Sequence, residues 1–195
     1  PVILRTTTRI SHSKSLLSLE ERTPQEPITT LERATRKYTM LPGNAALRHQ
    51  LVEQRLVALA EFAETTSLNR LEMGDPRVGI VASGAAYEYA REALPGASFL
   101  KLGLTYPLPR RLLAEFRSKV EKLYVVEELD PFFEDQIKAM DIAVDGGKSL
   151  LSLLGELDPG IVASSLASEN VYGESSRYVS LSNMSGIVAT TTNPR

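Results

Sequence analysis

The sequence predicts an α/β fold of three layers, α/β/α, in which helices cover both faces of a mainly parallel sheet. Three observations lead there. Short β-like apolar runs at residues 78–82, 97–102 and 122–126 recur at a spacing of roughly 25 residues. Each run is followed by turn chemistry and then by a helical apolar pattern, which makes a series of βα units. Consecutive units of this kind join through right-handed crossovers, so their strands lie parallel and their helices fall on the faces of the sheet.

Taken in order, residues 2–4 (VIL) form a β-like run, and the stretch through residue 36, rich in Ser, Thr, Pro and charge, reads as an extended N-terminal arm or linker. After Pro42 and Gly43, Asn44 is placed to cap a long helix. Leu47, Leu51, Val52, Leu56, Leu59, Ala60 and Ala63 recur along it at three- and four-residue spacing, and that stripe is expected to pack on a core, with Arg48, Glu53, Arg55 and Glu61 opposite. The run at 78–82 passes through Ser83, an N-cap candidate, into a helix over 84–93 that Pro95 and Gly96 end. The run at 97–102 stops at Gly103, and Tyr106-Pro107-Leu108-Pro109 opens a helix with Leu112, Leu113, Phe116 and Val120 on one face. After 122–126, Asp130 is the expected N-cap and Pro131 the first residue of a helix carrying Phe133, Ile137 and Met140. A fourth short run at 142–144 is expected to add a strand, and Asp158-Pro159 starts a last helix by the same device. The tail from about residue 168, rich in Ser, Thr and Asn, shows no sustained period.

Composition narrows the function. At 195 residues, 43% hydrophobic and with net charge -2, the chain can bury a core and has no excess of positive charge to draw it to nucleic acid. No apolar run reaches the roughly 18 residues of a membrane span, and no signal peptide opens the sequence, so the expectation is a cytoplasmic protein that binds neither membrane nor nucleic acid. Cysteine is absent, which removes disulfides, thiolate nucleophiles and cysteine-ligated iron–sulfur clusters from this sequence. The first residue is Pro1 and PVILR has the character of mid-strand, so the sequence reads as a piece of something longer.

Two glycine-containing stretches invite a nucleotide and do not carry it through. The turn VASGAAYEY offers Ser83 and Gly84 only, where a dinucleotide fingerprint needs G-x-G-x-x-G for the backbone to approach a pyrophosphate. A capped helix start is the simpler reading. The run Asp145-Gly146-Gly147-Lys148-Ser149 resembles the end of a phosphate loop, but the glycine required five residues before Gly147 is Ile142, so it reads as a surface turn. The two histidines, His12 and His49, stand in no metal-binding spacing, and nothing like G-x-S-x-G accompanies Ser11 or Ser13. No catalytic, cofactor-binding or metal-binding residue is therefore assigned. What remains is geometric. Ligands and partners of a parallel sheet gather at the carboxyl ends of its strands, which here would present Ser83, Gly103, Tyr106, Glu127, Glu128 and Asp130.

Six phrases in order, RKYTMLPGNAALRH, VEQRLVALAEFAETTSLNRLEMGD, GIVASGAAYEYAREAL, LKLGLTYPLP, VVEELDPFFEDQIKAM and LLGELDP, resemble the alpha subunits of the indolepyruvate:ferredoxin oxidoreductases, within the thiamine-diphosphate-dependent 2-oxoacid:ferredoxin oxidoreductase family. The resemblance runs from the start to about residue 160. It implies a transketolase C-terminal-like domain over 37–165, preceded at 1–36 by an arm that ends a pyrimidine-type domain and followed at 166–195 by an unassigned tail. VILRTTTRISHS is similar to an Arg-Thr-Ser-His phrase of related enzymes, matching it at Arg9, Ser11 and His12 and departing at Ile10. With Ser83, Tyr106, Glu127 and Glu128 these make a candidate interdomain or strand-end edge.

For the parent the resemblance implies thiamine diphosphate, magnesium and iron–sulfur clusters, with other domains of the same subunit, a smaller beta subunit and ferredoxin as partners. None of those cofactors is expected in this chain, which lacks the GDG and Asn for the diphosphate and any CxxC series. The chain is then expected to be a non-catalytic structural domain that positions the cofactor-binding ones. The alternative is a free-standing α/β binding or regulatory module using the strand-end edge for a small anion.

Overall fold

A computed structural model describes residues 3–24 and 33–167. The chain divides into two compact units, Pro1–Asn44 and Ala45–Arg195. The first holds two short helices, α1 (Thr8–His12) and α2 (Thr35–Tyr38). Thr7 opens α1 by accepting from the Ile10 N–H at 3.4 Å, and the Ser13 hydroxyl closes it by donating to the Ile10 carbonyl at 2.7 Å. The run at residues 2–4 does not form a strand where it is described: Ile3 and Leu4 are exposed and no neighbouring strand pairs with them among the described residues, and a strand is sustained only by ladder bonds to a partner. Residue 2 and the tail from residue 168 lie outside the described residues.

In the second unit the chain continues through α3 (Pro42–Thr65), which begins just before the boundary, into β1 (Arg70–Glu72), β2 (Asp75–Ser83), α4 (Gly84–Ala93), β3 (Ala97–Leu102), α5 (Arg110–Ser118), β4 (Lys122–Val126), α6 (Phe132–Ala139) and α7 (Pro159–Ala167). The sheet order is β1-β3-β2-β4, with β2 parallel to both β3 and β4 and β1 antiparallel on the edge of β3. The step from β2 to β3 and the step from β3 back across β2 to β4 run in opposite directions, so two right-handed crossovers put their helices on opposite faces.

The side chains divide accordingly. Val78, Ile80 and Ala82 of β2 meet Tyr87 and Ala90 of α4 and Val162 and Leu166 of α7 on one face, while Val81, Leu100, Leu123 and Val125 meet Leu113 and Phe116 of α5 and Ile137 of α6 on the other. This is the period-two alternation of strands buried on both sides. Each fully buried Leu, Ile or Phe contributes about 1.5–3 kcal/mol relative to exposure, which makes this double core the principal source of stability.

Four local expectations are corrected. The run at 142–144 is not a strand: Ile142 is buried in the core, and pairing with β4 occurs two residues on, where the Asp145 N–H donates to Leu123 O at 2.8 Å, the Asp145 carboxylate accepts from Leu123 N at 2.7 Å and Val125 N donates to Gly146 O at 2.9 Å. Asn44 does not cap α3, which already starts at Pro42; its amide donates back to the Thr39 carbonyl at 2.9 Å. The α3 stripe reaches the core only at its C-terminal end, where Ala63 is buried and Leu56, Leu59 and Ala60 are half-buried, whereas Leu47, Leu51 and Val52 are exposed. Finally, β1 is an antiparallel edge strand that the sequence reading missed, because three residues are too few to show a period.

Candidate functional site

Because β2, β3 and β4 are parallel, their carboxyl ends at Ser83, Leu102 and Val126 share one edge, and α4, α5 and α6 start from it. A helix start carries backbone N–H groups without intrahelical partners, which makes it the natural seat for an anion. The chemistry of this edge turns on what those donors already hold.

At α6 they hold Glu127. Its carboxylate accepts from Phe133 N at 2.8 Å and from Glu134 N at 3.0 Å, one bond to each oxygen. Asp130, the expected cap, contributes only its backbone carbonyl, which accepts from Phe132 N at 2.8 Å, and the helix begins at Phe132 with Pro131 in the cap position. A glutamate three residues earlier and buried under the helix start has taken the place of the aspartate. At α7 the expected device is present, with Asp158 Oδ1 accepting from Ile161 N at 2.7 Å. At α5 the cap comes from far along the chain: Glu64, at the end of α3, accepts from Arg111 N and Leu112 N at 2.9 Å each, and Arg111 pairs with Glu61 at 2.8 Å. The turn after β3 is filled as well, since Asn69 Oδ1 accepts from both Gly103 N and Leu104 N at 3.0 Å while its amide donates to Ala63 O at 2.8 Å. A side chain at Gly103 would collide with the Leu68 backbone, so glycine is what allows this approach.

Helix α4 differs. Ser83 stands at the cap position, but its hydroxyl donates to Leu102 O at 2.7 Å and makes no cap bond, which corrects the capping role expected for it. Gly84 follows at φ +54, a conformation glycine adopts without the Cβ penalty.

Under the α6 start lies a charge network that the sequence reading missed. The stretch 145–149 is not a surface turn: Gly146 and Gly147 are buried and Lys148 is half-buried, because Lys148 Nζ donates to the Glu127 carbonyl at 2.5 Å and Lys148 N to Glu134 Oε2 at 2.7 Å. The loop is a clasp on the end of β4. Burial pushes the Glu127 carboxyl above its ordinary range, opposed by the two backbone N–H bonds and by Lys148. Burial likewise pushes the Lys148 ammonium down, opposed by Glu127 and Glu134. Burial raises Glu134 too, but Lys138 at 2.6 Å and the Lys148 bonds outweigh it and hold that carboxyl low.

The remaining candidates fall in different places. Glu128 accepts from Leu157 N at 3.2 Å and so ties the loop before α7 to the end of β4, and Tyr106 is exposed on the loop after β3. Ser83, Tyr106, Glu127 and Glu128 therefore share the strand-end edge. Ser11 and His12 are exposed on α1 of the first unit, where Ser11 Oγ lies 2.8 Å from Thr6 Oγ1; Arg9 is on the same helix, and its side chain lies outside the described residues. His49 bonds Glu53 at 2.9 Å on an exposed face of α3. Glu64, Asn69 and Lys148 carry no local signal, since their partners lie 47, 34 and 21 residues away.

Among the described residues no group of three or more His, Asp or Glu side chains is placed to hold a metal ion, and no helix is long and apolar enough to cross a membrane. No family model matches the chain. It is 34% identical over 165 residues to the indolepyruvate oxidoreductase subunit IorA of Methanothermobacter thermautotrophicus, covering 81% of this chain and 26% of that subunit. It is 34% identical over 154 residues to the IorA of Archaeoglobus fulgidus, covering 76% and 25%, and 36% identical over 159 residues to that of Methanothermobacter marburgensis, covering 75% and 26%. The chain thus spans about a quarter of the length of these relatives. A 2-oxoglutarate:ferredoxin oxidoreductase from Magnetococcus marinus, solved with 2-oxoglutarate, coenzyme A and succinyl-CoA bound, shares the fold at TM-score 0.50 and 18% identity over 69% of this chain and 24% of that one.

Proposed function

The chain is homologous to the indolepyruvate oxidoreductase IorA subunits over most of its length, and from that kinship we propose that it serves as a non-catalytic α/β domain of a thiamine-diphosphate-dependent aryl pyruvate:ferredoxin oxidoreductase, holding cofactor-binding domains in register. One observation carries the reading: at every start along the strand-end edge described above except that of α4, donors that suit a phosphate or carboxylate are spent on the chain's own side chains. Glu64, Glu127 and Asp158 fill three helix starts and Asn69 fills the turn after β3.

Among the described residues no set of side chains fits the metal-bearing cofactors implied for the parent. Iron–sulfur clusters take thiolate ligands, and the sequence contains no cysteine. Magnesium on a diphosphate takes a set of oxygens, and the carboxylates of Glu127, Glu128 and Asp158 at this edge accept from backbone N–H groups. No reaction step is therefore assigned to this chain. Its role is mechanical: Tyr106, Glu128 and the exposed rim around them form the face that neighbouring domains, the smaller subunit or ferredoxin would meet. A second reading, a free-standing module binding a small anion, is favoured by the start of α4 alone, where Ser83 leaves the first N–H groups without a side-chain cap.

Replacing the matched stretch of the M. thermautotrophicus subunit by this chain tests both readings. We expect indolepyruvate-dependent ferredoxin reduction in the chimera, with Glu127→Gln and Ser83→Ala lowering the rate by less than about tenfold, since loss of a group in proton transfer costs about 10²–10⁴. The isolated chain should melt at the same temperature with and without millimolar thiamine diphosphate and magnesium, or coenzyme A. A rise of about 5 °C or more, removed by Ser83→Ala, would replace the scaffold reading with the anion-binding one.

A further inference from the structure

We infer that the outer face of α3 is a docking seat for the part of an IorA-type subunit that lies outside the stretch matched here. At 3.6 residues per turn, Leu47, Leu51, Ala58 and Phe62 fall within about 60° of one another, and this stripe is centred about 120° around the helix from the side on which Leu56, Leu59 and Ala63 pack. Leu47, Leu51 and Phe62 are 64%, 45% and 50% exposed, and Val57, beyond the border formed by Gln50 and Gln54, is 69% exposed. A helix with a second apolar stripe beside the one that packs offers a second surface to cover, and most of the stability of a helix in a protein comes from such packing.

The C-terminal end of α3 is anchored. Glu64 caps α5, Glu61 pairs with Arg111, and Asn69 bonds both Ala63 O and the turn after β3. The first turns, as far as Val52, extend from that anchor with Leu47, Leu51 and Val52 exposed.

Two observations identify the occupant. The relatives extend for about three quarters of their length beyond the matched stretch, which supplies a polypeptide of the same subunit large enough to cover a helix face. The rim supplies the chemistry: Arg55 borders the stripe, exposed and with no ion-pair partner among the described residues, while Gln50 and Gln54 line the other border. The covering surface is therefore apolar with a carboxylate toward Arg55. The inference takes only the identity of the occupant from the functional reading above; the exposed stripe is a property of this chain.

Amide exchange at residues 45–62 tests the assignment in the chain alone and in the chimeric subunit. We expect at least about tenfold slower exchange in the chimera, reversed by Leu47→Asp with Leu51→Asp while residues 78–126 keep their protection. Equal exchange in both would overturn the inference, and so would protection in the isolated chain that rises with its concentration, which would make a second copy the occupant. If the chimera does not accumulate, Leu47→Gln with Leu51→Gln in the isolated chain gives the answer. The melting temperature should move by no more than about 1 °C, against several degrees for Leu56→Gln, and a fall of several degrees in the outer pair would mean that the stripe packs within this chain. A chimera inactive toward indolepyruvate but protected at 45–62 would remove the functional reading and leave the docking seat in place.

Discussion

Helices α4 and α6 both leave the carboxyl edge of the sheet after a parallel strand, and they differ in what meets their first N–H groups. At α6 a buried carboxylate takes two of them, and its burial is made tolerable by Lys148 and by the backbone donors themselves. At α4 the nearest hydroxyl turns away to the carbonyl of Leu102 and ties β2 to β3. The same local geometry thus serves two ends, one helix start being closed by a carboxylate of the chain and the other making no side-chain cap bond. Position at the edge of a parallel sheet does not by itself make a ligand site, because such a site also needs donors that the chain has not already used.

The comparison breaks first at Glu127. Glu127→Ala would strand two buried N–H groups and uncover Lys148, and a loss of about 2–3 kcal/mol is expected, read as a fall in melting temperature of roughly 4–12 °C. A fall no larger than that of a surface substitution would mean that the α6 start is as open as that of α4.

The next effect is in pH. A carboxyl whose pKa is raised in the folded chain binds more protons there than in the unfolded chain, so its contribution to stability is largest below the ordinary value of 4.5 and falls as pH rises through the elevated one. The stability gap between the parent chain and Glu127→Gln should therefore narrow across that window in urea denaturation. A gap that is constant or widens with pH would show that the carboxylate bonds outweigh burial.

The smallest effects sharpen the contrast. Ser83→Ala should cost about 0.5–1.5 kcal/mol through the lost bond to Leu102 O, and Asp130→Ala less than about 0.5 kcal/mol, since only its backbone is used. A larger cost at Asp130 than at Ser83, in chemical denaturation of the two variants, would restore the aspartate to the capping role that sequence alone suggests for it.

What sequence could and could not show follows the range of each interaction. The strands at 97–102 and 122–126 were readable to the residue, because apolar β-like runs between turn signals are local. Asp158 was readable because the bond it makes spans three residues. Glu127 lay on the candidate edge, but its capping role was given to Asp130, since the rule that places a cap immediately before a Pro does not see a carboxylate folded under the helix from the strand end. Glu64 was counted with no site at all, and its partners on α5 become neighbours only after the sheet has formed. The stripe expected on α3 is buried only at its C-terminal end, because periodicity reports which residues are apolar and not how far along the helix a core extends.

Asn69 has a consequence for the order of events in folding. Of its three bonds one is local, to Ala63 O, and two join the end of α3 to a turn 34 and 35 residues on, so these two form only when the unit β2-α4-β3 is already in place and a long loop has been closed. Contacts made that late are absent from the folding transition state, so weakening them leaves the rate of folding nearly unchanged and speeds unfolding. Asn69 is in this sense a latch on lifetime: with Glu64 and Glu61 on the same helix end, its buried amide bears on how long α3 stays seated on the α/β body.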